Sequence, residues 1–235
     1  MKGNILATLT VLSLLLLQGC AHTSNYAAKS TLNSSSEAGE KLEKSKILLM
    51  PIDVELAELT ALGALETKAD WTESAKKHMN VAAARVMEKH NADIVPFESD
   101  NTDPNAISYQ LAKLHEAVGY SVLVHHLGPQ KLPSKGKNFD WTLGNDAQTL
   151  RQETGADYAL FLFMRDSYAS AGRVAMQVLL GAPGGSQIGF ASLVDLESGD
   201  VVWFNRLFST TGDLRKEKSA QRSVQNLLDG FPSAE

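Results

Sequence analysis

Tyr158-Ala159-Leu160-Phe161-Leu162-Phe163-Met164 is unbroken apolar. A strand with one wet face alternates polar and apolar side chains, so a run without alternation reads as a strand covered on both faces. Downstream, Ile188 to Leu196 and Val201 to Phe208 read as two further strands. Glu197-Ser198-Gly199-Asp200 joins them as a hairpin connection, with Gly supplying the awkward backbone angle. Asp195 and Gly199 set that turn, and Trp203 lies on the strand after it, where a large ring buries much apolar area. A last helix, roughly Leu214 to Leu228, closes the chain.

Upstream, Ile47-Leu48-Leu49-Met50-Pro51-Ile52 ends at Asp53 and reads as a buried strand, with Val54 to Leu59 as its candidate extension. Asp70-Trp71-Thr72-Glu73 resembles a capping box, and Ala75, Met79, Ala82 and Val86 follow on one helical face. Asn91 is the expected stop. Ala92 to Phe97 is a short strand, with Pro96 marking its end or a sheet edge. Asp103-Pro104 starts a second helix carrying Ile107, Leu111, Leu114 and Val118. Its period either runs on through Gly119 to His125 or stops at Gly119 with a strand from Ser121 to Val124; the residues allow both. Gly128 to Lys137 is a loop, and Asn145-Asp146-Ala147-Gln148 caps a third helix stopping at Gly155. The order β-α-β-α-α-β-β-β-α predicts an α/β (α+β) fold, a mixed sheet with helices packed on it.

The chain opens on one basic residue, Lys2, and an apolar run of 13 positions, Ile5 to Leu17. That is the layout of a secretory signal. A membrane span needs about 20 residues, so the run is too short to cross a bilayer. It ends in Leu17-Gln18-Gly19-Cys20, which resembles the bacterial lipobox, with Gln18 less usual at its place. The resemblance implies residues 1–19 as a cleaved signal peptide and Cys20 as an acylated membrane anchor. Two or three acyl chains hold firmly where one is marginal. Cys20 is the one cysteine of the chain, so no internal disulfide competes for it. Ala21 rather than Asp follows it, which by enterobacterial-type sorting implies the outer membrane, periplasmic face.

Residues 21–45 are rich in Ser, Ala, Thr, Lys and Glu, and read as a disordered tether. As a flexible coil it would hold the domain about 25–30 Å from the membrane, and stretched about 80 Å. Residues 46–235 are then a single periplasmic domain. Without Lys2 the formal charge moves from −5 to −6, which disfavours nucleic acid as a partner.

Gly155-Ala156-Asp157-Tyr158 followed by Leu193-Val194-Asp195-Leu196-Glu197-Ser198-Gly199-Asp200-Val201-Val202-Trp203 resembles a pattern of periplasmic lipoproteins. The curli-secretion lipoprotein and the penicillin-binding-protein-activator lipoproteins carry it on a fold like the N-terminal domain of TolB. The resemblance spans about residues 46–230 in element order, but in motif only this turn and hairpin. It implies Asp157, Asp195, Gly199 and Trp203 as fold residues. It also implies a non-enzymatic accessory or protein-binding role in the envelope, with a self-assembling ring or pore as the alternative.

Tyr168 to Gly189 departs from the pattern. It carries Val174-Ala175-Met176-Gln177-Val178-Leu179-Leu180 and then Gly181-Ala182-Pro183-Gly184-Gly185. The plain reading is a strand plus a mobile glycine loop. The sharper one is an exposed partner- or membrane-contact element through Tyr168, Val174, Met176, Leu179 and Leu180.

Little else in the sequence offers chemistry. His78 and His90 lack the i, i+4 spacing of a helical metal pair, and His125-His126 point apart on any regular backbone. His115 with one of the latter is the remaining metal candidate, and His22 falls in the tether. Gly181-x-x-Gly184-Gly185 lacks the Lys-Ser/Thr end of a phosphate loop, and no G-x-S-x-G elbow exists. Glu55 with Glu58, or Asp195 with Asp200, read as solvated edges or turns rather than a glycosidase pair. Arg165-Asp166 ends the apolar strand, where α/β folds often place ligands. The expectation is no metal, no cofactor and no catalytic residue; an envelope hydrolase would need a cleft joining Arg165, Asp166 or the histidines.

Overall fold

The computed structural model describes residues 22–27, 45–90, 92–97, 103–135 and 138–232. The expected signal peptide, residues 1–19, and Cys20 lie outside the described residues. The strands are β1 His22–Ala27, β2 Lys46–Leu49, β3 Asp53–Leu59, β4 Leu65–Thr67, β5 Asp93–Pro96, β6 Tyr158–Ala169, β7 Gln187–Asp195 and β8 Val201–Ser209. The helices are α1 Ala69–Lys89, α2 Ile107–Ser121, α3 Ala147–Thr154, α4 Ala171–Leu180 and α5 Glu217–Leu227. They build a mixed α/β fold around one sheet in the order β1-β8-β7-β6-β2-β5, with β3 also on β6 and β4 on β3.

The apolar strand is the centre. β2 and β3 run parallel to β6 one after the other, Ile47 opposite Tyr158 and Leu59 opposite Ala169. On its other side β7 runs antiparallel. All of Tyr158–Met164 is buried, because both faces are covered. Tyr158, Leu160, Leu162 and Met164 meet α1 and α5. Phe161 and Phe163 on the opposite face meet α2, α3 and the segment around Trp141 and Leu143. Phe163 stacks on Phe190 with ring centroids 4.5 Å apart, a contact worth about 0.5–1.5 kcal/mol beyond its buried area.

The stripe Ala75, Met79, Ala82 and Val86 of α1 is buried as its spacing predicts. Its start is not the expected capping box. The helix begins at Ala69, and Lys68 at the cap position makes no side-chain capping bond. Thr72 instead accepts the backbone N–H of Leu56 at 2.9 Å, fixing α1 to β3. Nor does Asp146 cap α3 through its side chain, although the helix does stop at Gly155 in the left-handed conformation.

The open choice at 119–127 resolves as helix. α2 continues past Gly119 into a π-helical turn, Val122–Leu127. Gly119 is there for packing: a Cβ on it would lie 2.0 Å from the Phe190 ring. The buried stripe is accordingly Leu111, His115 and Gly119, while Leu114 is turned outward.

Two further expectations are corrected. The apolar piece Val174–Leu180 is helical, within α4, not a strand. The tether expected as coil contributes β1, antiparallel on β8 with His22 opposite Phe208 and Ala27 opposite Trp203. An open sheet edge presents a row of unpaired N–H and C=O groups, and backbone pairing of this kind needs no apolar side chain from the incoming strand.

The four fold-motif residues all have structural work. Asp157 accepts the Lys46 N–H at 3.1 Å and pairs with Arg151 at 3.2 Å, locking β2 to the start of β6. Asp195 accepts the N–H groups of Glu197 and Ser198 in the hairpin turn. Gly199, at φ +79°, accepts the Leu143 N–H, and a Cβ there would lie 2.1 Å from the Gly144 carbonyl oxygen. Trp203 is buried against Phe231 and the α5 side of the core.

Candidate functional site

Strand direction gathers the C-terminal ends of β3, β6 and β8 and the N-terminal end of β7 at one end of the sheet. Three features lie there: a polar pocket, helix α4 and the β3–β4 turn.

The pocket encloses about 270 Å³, lined by Asp166, Tyr168, Ser186, Gln187, Ser209 and Thr211 among others. Asp166 is buried, and its carboxylate accepts the Tyr168 hydroxyl at 2.5 Å and the Gln187 amide at 2.8 Å. Burial pushes its carboxyl up to about 6, against the opposing pull of those two donors. Burial and the Asp166 charge also raise the Tyr168 phenol. The Tyr168 oxygen accepts the Leu214 N–H at 2.7 Å, and Gln187 accepts the Ser223 hydroxyl at 2.8 Å. Arg215 lies over both the Tyr168 and Trp71 rings, at 4.1 and 4.4 Å, and pairs with Asp213 at 2.8 Å. Against a desolvation that acts the other way, Arg215 holds Asp213 below the usual carboxylate range. The Tyr168–Leu214 and Gln187–Ser223 bonds tie the sheet end to the turn before α5 and to α5 itself. The arrangement is a strut with a cavity beside it.

Beside the pocket stands an apolar surface. Ser170 caps α4 by accepting the Arg173 N–H, and Gly181, left-handed at φ +67°, ends it. Only Arg173 of the helix is buried, its Nε donating to the Pro183 carbonyl at 2.9 Å. Val178, Leu179 and Leu180 are 80%, 76% and 71% exposed. The β3–β4 turn adjoins the helix: a Cβ on Gly172 would lie 2.9 Å from that of Ala61, and one on Gly63 3.5 Å from the Arg173 guanidinium. This turn presents Leu62 at 95% exposure, with Leu65 exposed next to it.

Of the expected contact residues, Val174, Leu179 and Leu180 face solvent, Met176 is half-buried, and Tyr168 is turned into the polar network. Leu62 escaped the sequence reading, and Val178 lay in the quoted run without being singled out as a contact residue. Ser170 and Gly181 flanking the run, with Val174 and Val178 at i, i+4, were the signal for an amphipathic helix.

Arg165 and Asp166 do not share a cleft, because successive strand residues point to opposite faces. Arg165 faces α2, donating to Asp53 at 2.7 Å and Glu116 at 3.3 Å while lying over Phe163 at 4.0 Å. Lys113 bridges the same two carboxylates at 3.1 and 3.3 Å. Burial alone would raise Asp53; the two cations outweigh it and hold the carboxyl low.

The histidines are dispersed. His115 is buried between Phe161 and Phe190, bonded to Ser192 at 2.9 Å, and desolvation drops it to about 3. His78 meets the Leu214 carbonyl, His90 the Phe231 ring, His125 the Gln130 carbonyl and His126 the Phe139 ring. His115 and the tandem pair therefore share no site. Among the described residues no group of three or more His, Cys, Asp or Glu is placed to hold a metal, and no helix is long and apolar enough to cross a membrane.

No known protein family matches the sequence, and no curated protein does either. Solved structures do. A PelC dodecamer from Paraburkholderia phytofirmans is 13% identical with a TM-score of 0.44, covering 92% of this chain and 100% of that one. A leucine-to-methionine variant of that dodecamer is 14% identical at a TM-score of 0.41, over 92% and 99% of the two chains. The LpoB C-terminal domain from Salmonella enterica is 14% identical at 0.30, over 77% and 94%.

Proposed function

We propose that this chain is a lipid-anchored, non-enzymatic accessory subunit of the bacterial cell envelope. It is held by Cys20 at the periplasmic face of the outer membrane and works by binding another envelope component. The observation that carries the reading is the apolar end of the sheet. Side chains as large as Leu62 on the β3–β4 turn and Val178, Leu179 and Leu180 on the adjoining helix are mostly exposed at one end of the sheet, and exposed apolar side chains gathered in this way mark a contact site. The lipobox-like Leu17–Cys20 supplies the anchor, and Tyr168 and Gln187 at the same end hold the turn before α5 and α5 itself on the sheet.

The test is a photo-crosslinking residue at Val178 of the full lipidated chain, in native envelopes, with exposed Glu73 on α1 as the control position. A discrete adduct at position 178 that position 73 does not give is the expected result. Equal adduct patterns at both positions would overturn the reading. The alternative, copies of the chain assembling into a ring through the Tyr168–Gly189 segment, gives an adduct of twice the chain's mass in the same experiment.

A further inference from the structure

The register of β1 says which way the apolar end faces. β1 begins at His22, opposite Phe208, one residue from the C-terminal end of β8. Ser209 of β8 lies opposite Gln187, Gln187 opposite Asp166, and β6 runs three residues further to Ala169 before α4 starts. The start of β1, helix α4 and the β3–β4 turn therefore share one end of the sheet. Cys20 precedes His22 by two residues, a reach of about 7 Å at most. From β1 to β6 is three strand spacings, roughly 15 Å. An anchor expected at the far end of a long tether is thus attached within two residues of the sheet. The remainder of the tether comes after β1 and adds nothing to the stand-off.

We infer that this end of the sheet lies on the lipid leaflet holding the acyl chains of Cys20, with Leu62, Val178, Leu179 and Leu180 inserted into it. The inference rests on Cys20 being lipidated and names the component that the apolar end contacts. Acyl chains in the leaflet bring the surface to within about two nanometres of α4 whatever else is present. The exposed residues are those that lipid accepts. Phe208, directly opposite His22, is half-exposed at the same end. With a formal charge of −6 once Lys2 leaves with the signal peptide, the chain has no net attraction to anionic headgroups, so the contact is apolar and persists at high salt.

The experiment uses full-length lipidated protein in phosphatidylethanolamine/phosphatidylglycerol vesicles. Acylation of Cys20 leaves one introduced cysteine as the free thiol for an environment-sensitive dye. Dyes at Val178→Cys and Leu62→Cys are expected to be quenched several-fold more by brominated lipid than a dye at Ser198→Cys, in the hairpin turn at the opposite end. An interfacial helix buries its apolar face about 5–10 Å deep, within reach of bromines placed high on the acyl chain. The triple change Val178→Asp, Leu179→Asp, Leu180→Asp is expected to reduce quenching at Leu62→Cys. Equal quenching at all three positions, or none at 178 and 62, overturns the inference. If quenching fails while a Val178 photo-adduct to another protein persists, the contact surface stands and lipid is not its occupant. If mass spectrometry finds no acyl group on Cys20, the anchor and the orientation fall together.

Discussion

Asp166 sits where the apolar strand meets its polar end, and burial has made its charge expensive. Its folded carboxyl keeps a proton to about pH 6, whereas an unfolded one releases it near 3.8. The folded state therefore loses stability as pH rises from about 4 to 6, and Asp166→Asn escapes that loss. The variant is expected to be more stable than the parent by roughly 1–3 kcal/mol above pH 6 and no more stable below pH 4. Thermal melts across that range check it; a gain at both ends would mean that charge is not the cause. His115 acts with the opposite sign. Held near 3 by desolvation against an ordinary 6.5, it withdraws stability as pH falls through that window. His115→Gln can still reach Ser192 but does not titrate, so its melting temperature is expected to be lower at pH 8 yet to fall less steeply on acidification. At this scale the sequence was readable where chemistry is local. Gly199 announces its turn by residue type alone. The separation of Arg165 from Asp166 follows from strand alternation, whereas the burial of His115 depends on Gly119 admitting Phe190 from a distant strand, which no local pattern records.

Helix α4 shows what a short element hides. Its apolar piece is bounded by glycines and contains two valines, a composition shared by strands and by helices. What separates them is the pair of caps, Ser170 and Gly181, together with the i, i+4 placement of Val174 and Val178. The β3–β4 hairpin is shorter still, and the three residues of its second strand are too few to show a period. The long elements were legible because each has a full period to show: β6 as an uninterrupted run, α1 as a stripe. Since α4 buries only Arg173, its outer residues contribute hardly to folding. Val178→Lys with Leu179→Lys is accordingly expected to leave the unfolding free energy within about 0.5 kcal/mol of the parent. The delipidated protein should at the same time become less prone to self-association, as read by sedimentation. A large loss of stability would show that this face packs against the rest of the chain.

Across the whole molecule the decisive element is the strand that the sequence conceals. His22–Ala27 has the composition of a linker, yet it pairs antiparallel with β8 along the sheet's edge. Covering that edge does two things at once. It shields β8, seven of whose nine residues are buried, and it would transmit the pull of an anchor at Cys20 directly to the sheet. A chain beginning at Ser45 tests both. The β2–β6–β7–β8 ladder is paired without β1, so the truncated domain is expected to fold with native far-ultraviolet circular dichroism. Its melting temperature should drop by several degrees for the lost ladder, about 1–2 kcal/mol if the six pairings retain a fraction of a kcal/mol each after water competes. It should also associate with rising concentration through the bared β8 edge, and a synthetic peptide of residues 22–27 should reverse that association by taking the place of the missing strand. A truncated domain that stays monomeric with an unchanged melting temperature would mean that β1 does not hold the edge. The anchor would then hang from a tether about 25–30 Å long, the apolar end would have no fixed direction, and the lipid contact inferred for α4 would lose its geometric ground.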